Sequence, residues 1–133
     1  MSFCVLIIIT LLIGWFIFKN GTYKQTTTDS NDTVFLKLPS KDNKVLEYKE
    51  KVISGDNVFS MLKRVTDKEN ISLGYEENTD DFLLVYKIGE VGGKIMDCSL
   101  TLLVNNKEII ESPDEYYLVA GDKVEWVFWC EDK

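Results

Sequence analysis

Asp56-Asn57-Val58-Phe59-Ser60-Met61-Leu62-Lys63-Arg64-Val65-Thr66-Asp67-Lys68 is the stretch that decides the fold. Its apolar residues Val58, Met61, Leu62 and Val65 fall at i, i+3, i+4 and i+7, which sets all four on one face of a helix. Asp56 stands where an N-cap is expected, and Lys63, Arg64 and Lys68 suit the C-terminal half of the helix dipole. No other segment after residue 18 carries a convincing helical period, so what flanks this helix has to be read at period two.

Upstream, Thr33 to Leu38 (TVFLKL) alternates apolar and polar residues, and Pro39-Ser40-Lys41-Asp42-Asn43 supplies turn residues. Lys44 to Ile53 follows, with Leu46, Tyr48 and Val52 on one face and Glu47, Lys49 and Lys51 on the other, completing a β-hairpin. Downstream, Ile71 to Tyr75 and Phe82 to Ile88 (FLLVYKI) read as strands. Cys98 to Val104 (CSLTLLV) ends at Asn105-Asn106, a pair that tolerates the positive φ of a tight turn. Tyr116 to Val119 is a further strand expectation, followed by the turn Ala120-Gly121-Asp122-Lys123. In the last strand, Val124 to Cys130 (VEWVFWC), Val124, Trp126, Phe128 and Cys130 form an apolar face, and Trp129 points the other way. Two strands, one helix and then several strands is an α+β order. A β-grasp-like mixed sheet with one packed helix fits it best.

The same residues resemble those of the transcobalamin C-terminal-like β-grasp family, which includes small exported or surface-anchored bacterial modules. The resemblance covers roughly Val45 to Trp129. It is carried by the helix that begins Asp56-Asn57-Val58-Phe59, by Leu102-Leu103-Val104-Asn105-Asn106, and by Gly121-Asp122-Lys123-Val124 about fifteen residues later. It implies a β-grasp sheet and a binding role. Three departures limit what carries over. Ser99, Leu100 and Thr101 stand where the family often has a Trp, Asn106 replaces the turn Gly, and these 133 residues include neither an all-helical partner domain nor a His to ligate cobalt.

Met1 to Phe18 contains no charged side chain. As a helix it would extend about 27 Å, the thickness of a bilayer's hydrocarbon core. Residues 1–18 are therefore expected to be a single N-terminal transmembrane helix or uncleaved signal, in membrane contact through residues 3–18. No Lys or Arg precedes the run and no small-residue cleavage site follows it. Residues 19–32 (KNGTYKQTTTDSND) read as a polar stalk, and residues 33–133 as the β-grasp-like domain. Lys19 and Lys24 favour a cytoplasmic domain by the positive-inside count. An acidic domain behind a polar stalk is more typical of an exported, anchored protein, so the expected placement is a single-pass cell-membrane protein with its domain outside.

All 15 basic and 22 acidic residues lie beyond residue 18, giving a net charge of −7. That balance excludes a nucleic-acid role, which needs a basic surface, and argues against docking on anionic lipid. Cys98 and Cys130 are compatible with one bridge, if their strands are neighbours, or with two separate buried thiols. With no His in the chain, Ser-His and Cys-His nucleophile pairs are excluded, and no catalytic residue, cofactor or metal site is expected. Gly89-Glu90-Val91-Gly92-Gly93-Lys94 has the wrong spacing for a phosphate loop and reads as an inter-strand loop. Glu76-Glu77-Asn78-Thr79-Asp80-Asp81 reads as a solvated acidic turn rather than a calcium loop.

The residues expected to bind a ligand are those least needed by the core: Gly89, Gly92, Gly93 and Lys94 in the loop, and the aromatic groups Tyr117 and Trp129. The expected function is a membrane-anchored extracellular binding module, without catalysis, that recognises a small molecule or a cell-surface protein. The alternative is a structural or interaction subunit of a membrane assembly that has no small-molecule ligand.

Overall fold

The computed structural model describes residues 32–131. The expected span and all of the stalk except Asp32 lie outside those residues. Among the described residues no helix is long and apolar enough to cross a membrane. Asn31–Lys133 forms a compact unit of its own.

The hairpin is present as β1 (Thr33–Pro39) and β2 (Val45–Lys51), paired antiparallel from Thr33↔Lys51 to Pro39↔Val45. Asp42 and Asn43 in its turn adopt φ of 62° and 57°, a left-handed conformation that short polar side chains tolerate. Alternation places Val34, Leu36 and Leu38 of β1 in the core and leaves Phe35 partly exposed. Helix α1 (Val58–Lys68) buries Val58, Met61, Leu62, Val65 and Thr66, so the apolar stripe read from the sequence is its inner face. The Thr66 hydroxyl donates to the carbonyls of Leu62 and Lys63, which removes the cost of burying it.

The N-cap is Asn57 rather than Asp56. Asn57 Oδ1 accepts from the Ser60 N–H at 2.7 Å, and Ser60 Oγ accepts from the Asn57 N–H at 3.0 Å, a reciprocal capping box. Asp56 is occupied elsewhere. Arg64, two turns along the helix, reaches back to grip both its oxygens at 2.9 and 2.8 Å, and the Ile53 N–H donates to it as well.

After the helix come β3 (Leu73–Glu77), β4 (Leu83–Ile88), the two-residue β5 (Val91–Gly92), β6 (Cys98–Val104), β7 (Lys107–Glu108) and β8 (Lys123–Cys130). β3 starts two residues later than expected because the Ile71 N–H closes the helix on the Thr66 carbonyl. The segment 116–119 forms no strand, only the isolated bridge Asn57↔Tyr117. Its backbone serves the helix instead, the Tyr116 carbonyl accepting from Val58 N–H and the Leu118 N–H donating to Asp56.

The strands make two sheets, ordered β2-β1-β8-β6-β7 and β3-β4-β5. In the first, β1 and β8 run parallel (Phe35↔Lys123), while β8 and β6 run antiparallel from Cys98↔Cys130 to Val104↔Val124. The expected mixed sheet is there. The separate second sheet was not anticipated. β4 does not join β6, and part of its backbone is engaged elsewhere: Leu83 N–H donates to Ser112 Oγ and the Tyr86 carbonyl accepts from Gly93.

The helix is tied to both sheets. Lys68 pairs with Glu50 of β2 at 2.6 Å, and Phe59 meets Tyr75 of β3 edge-on at 4.8 Å. Leu36, Leu62, Val85, Ile88, Leu102, Val124 and Trp126 belong to one continuous core. Cys98 and Cys130 are joined by a disulfide across the β6–β8 pair, which resolves the two readings of the thiols.

Candidate functional site

The six residues expected to bind a ligand do not gather at one concavity. Gly89 and Glu90 form the tight turn between β4 and β5. Gly92 adopts φ +93°, and a Cβ there would stand 2.4 Å from the Tyr86 carbonyl oxygen, so its lack of a side chain serves the hairpin. Lys94 is not a free cation. It pairs with Glu76, which holds its amine above the ordinary lysine value, and lies 5.2 Å from the Tyr86 ring centroid. Trp129, 47% exposed, sits near the far end of β8 and donates from Nε1 to Thr101 Oγ1 at 2.7 Å. Tyr117, 66% exposed, lies beside Asn57, near the start of β8. The six steps from Lys123 to Trp129 along the strand extend about 20 Å, so Tyr117 and Trp129 do not face one ligand. Of the six, Gly93 and Lys94 line one hollow together.

The motif that carries the family resemblance is a clasp. The Asn105 side chain donates to Asp122 Oδ1 at 2.9 Å and accepts from the Lys123 N–H at 3.0 Å, and its backbone N–H reaches the Lys123 carbonyl. Asp122, 6% exposed, also accepts from the Val119 N–H. Asn105-Asn106 and Gly121-Asp122-Lys123 thus lock two turns together. The helix N-terminus is equally committed. Its first N–H groups donate to the carbonyls of Tyr116 and Pro113 and to Asn57 Oδ1, so no anion-binding pocket opens there. Among the described residues no group of three or more His, Cys, Asp or Glu could hold a metal ion. In the acidic turn, Asn78 Oδ1 accepts from the N–H groups of Asp80 and Phe82.

Two concavities lie between the two sheets, and a third, of about 190 Å3, sits on the larger sheet against Phe35, Tyr48, Asn106 and Lys123. β6 is paired with β8 along one edge, and β7 covers only Leu103 and Val104 on the other. β4 is paired with β3, and β5 covers only Lys87 and Ile88. The uncovered stretches, Leu83–Tyr86 and Cys98–Leu102, front a common cleft. One hollow of about 300 Å3 is lined by Leu84, Leu100, Leu102, Ile109, Ile110 and Trp126 among others. A second, of about 330 Å3, shares Leu84, Val85, Ser99 and Leu100 with the first and continues to Gly93, Lys94, Ile95 and Met96. These volumes lie at the small end of the ligand-pocket range. Met96 at 86% and Ile110 at 84% exposure leave apolar side chains standing at the two ends. Sequence reasoning missed this cleft because it belongs to the junction of two sheets. The available signal was the consecutive Ile95-Met96 and Ile109-Ile110, apolar pairs outside any strand pattern.

No family model matches the chain, and no curated protein matches it in sequence. Solved structures do. The fold is similar to part of haptocorrin, crystallised in complex with Cbi, at a TM-score of 0.61 and 16% identity over 71% of this chain. The match spans 24% of the haptocorrin chain, about a quarter of its length. It is also similar to a candidate metal-binding protein from Ruminococcus gnavus ATCC 29149, at a TM-score of 0.58 and 13% identity, covering 76% of this chain and 99% of that one. At these identities the likeness is one of fold.

Proposed function

We propose that this chain is a membrane-tethered, exported binding module without catalysis, and that it takes a small molecule in the cleft between its two sheets. The cleft carries the reading: two adjoining apolar hollows, open to solvent, bounded by strand edges that have no partner strand. Three observations support the rest. The uncharged run Met1 to Phe18 has the length of a membrane span. The Cys98–Cys130 disulfide suits the oxidising conditions outside the cytoplasm. A solved structure with this fold was obtained with a bound small molecule. In this reading Gly93 and Lys94 border the ligand, whereas Gly89 and Gly92 shape the hairpin that holds them.

The test is a thermal-shift screen of the full chain in lipid nanodiscs against corrins and, separately, small, largely apolar compounds, repeated with Leu84→Asp. A compound that raises the Tm of the native chain and leaves the variant unmoved supports the reading, since a ligand stabilises only the state that binds it. If no compound shifts the Tm and a membrane pull-down recovers a stoichiometric protein partner, the chain is an interaction subunit instead.

A further inference from the structure

Trp126 is 4% exposed, lines the hollow of about 300 Å3 between β4 and β6, and is the one buried side chain among the described residues whose polar atom, Nε1, has no hydrogen-bond partner. An indole N–H withdrawn from water without an acceptor is destabilising, and buried donors in folded proteins are nearly always paired. Its neighbour Trp129, on the outer face of the same strand, does have an acceptor in Thr101. The exception therefore belongs to a residue that is both a wall of the cleft and a member of the core.

We infer that the cleft is built for a small, uncharged, largely apolar molecule carrying one hydrogen-bond acceptor, a carbonyl or ether oxygen, that meets the Trp126 N–H. This deepens the proposed binding role and rests on it. Three features select the class. The walls at Leu84, Leu100, Leu102 and Ile109 offer hydrocarbon contact and disfavour an ionised group. Glu108 and Glu111 on the rim repel an anion. The third feature is width. At a few positions β4 and β6 come within 8 Å at Cα, too close there for an inserted peptide strand, which needs two strand spacings, about 9.6 Å. A slim molecule enters where a strand does not.

The experiment compares 2-acetylnaphthalene with 2-ethylnaphthalene, which have closely similar shapes and differ in the carbonyl acceptor. The full chain, 15N-labelled in lipid nanodiscs, gives three indole N–H resonances, from Trp15, Trp126 and Trp129, assigned by elimination in W15F and W129F. The ketone is expected to move the Trp126 resonance downfield saturably and to bind about fivefold tighter than the hydrocarbon, the effect of one hydrogen bond. Leu84→Asp, at a half-exposed rim position, is expected to abolish both responses while the other two resonances keep their places. If both probes bind equally, the cleft is a site and the acceptor preference is wrong. If neither perturbs Trp126, or Leu84→Asp leaves binding unchanged, the cleft is not the site and the underlying binding role fails with it. A Trp126 proton that stays in contact with a bound water in the presence of saturating ketone also overturns the inference.

Discussion

Asp56 shows how one side chain can be read correctly as important and wrongly as to role. Sequence spacing marked it as the helix cap, but a cap and an ion pair compete for the same oxygens, and Arg64 eight residues on is invisible to a local rule. In the structure the Arg64 guanidinium, with help from the Ile53 N–H, holds the Asp56 carboxyl below the ordinary carboxylate range, although burial works the other way. A carboxyl whose folded pKa is lowered contributes stability that is present above its unfolded value and lost as pH falls through the folded one. Asp56→Ala is expected to cost about 2–3 kcal/mol at neutral pH. The gap between variant and native urea midpoints should then narrow as pH is lowered from about 4 towards 2. An unchanged gap at pH 2 would mean that the variant acts through packing. At Trp129 the alternation argument was sufficient, because the ring does face away from Trp126 and Phe128. Trp129→Ala is expected to shift stability by less than about 1 kcal/mol, which the same denaturant measurement checks.

Elements were the most legible level. Periodicity located the helix and its buried stripe, and the hairpin and the three long later strands follow from alternation and turn residues. What it could not supply was partnership. Period two says that Leu83–Ile88 and Cys98–Val104 are strands, but the identical pattern serves a strand in the first sheet or the second. The choice was made by long-range bonds such as Leu83 N–H to Ser112 Oγ. The site was less legible for the same reason. The residues singled out from sequence were exposed ones, and the cleft depends on which edges are left unpaired. On α1, Leu62 is fully buried in the core shared by both sheets. Leu62→Ala is expected to cost about 2–5 kcal/mol. A change below about 0.5 kcal/mol in chemical denaturation would place this helix face outside the core.

For the whole molecule, the compactness of Asn31–Lys133 leads to the expectation that deleting Met1 to Asn31 yields a soluble, folded monomer. A cooperative thermal melt and a monomeric sedimentation profile would check it, and aggregation would place the apolar segment in the core. Within that unit, the Cys98–Cys130 bridge closes a loop of sequence separation 32. On a chain-entropy model its reduction should lower unfolding stability by about 3–4 kcal/mol, measurable as a drop in urea midpoint with and without a phosphine reductant. The parallel pairing of β1 with β8 has a consequence of a different kind. The strand that occupies the middle of the larger sheet is the last to be made, and it is the one that β1 and β6 both need. Until residues 123–130 have emerged, β1 has only β2 beside it, the inner face of the helix lacks Val124 and Trp126, and Cys98 lacks its partner Cys130. The domain's timetable is therefore set by its tail. Made from its N-terminus, the domain completes its sheet, its core and its disulfide together once residues 123–130 are available, at the pace of non-local β pairing, on the order of milliseconds to seconds.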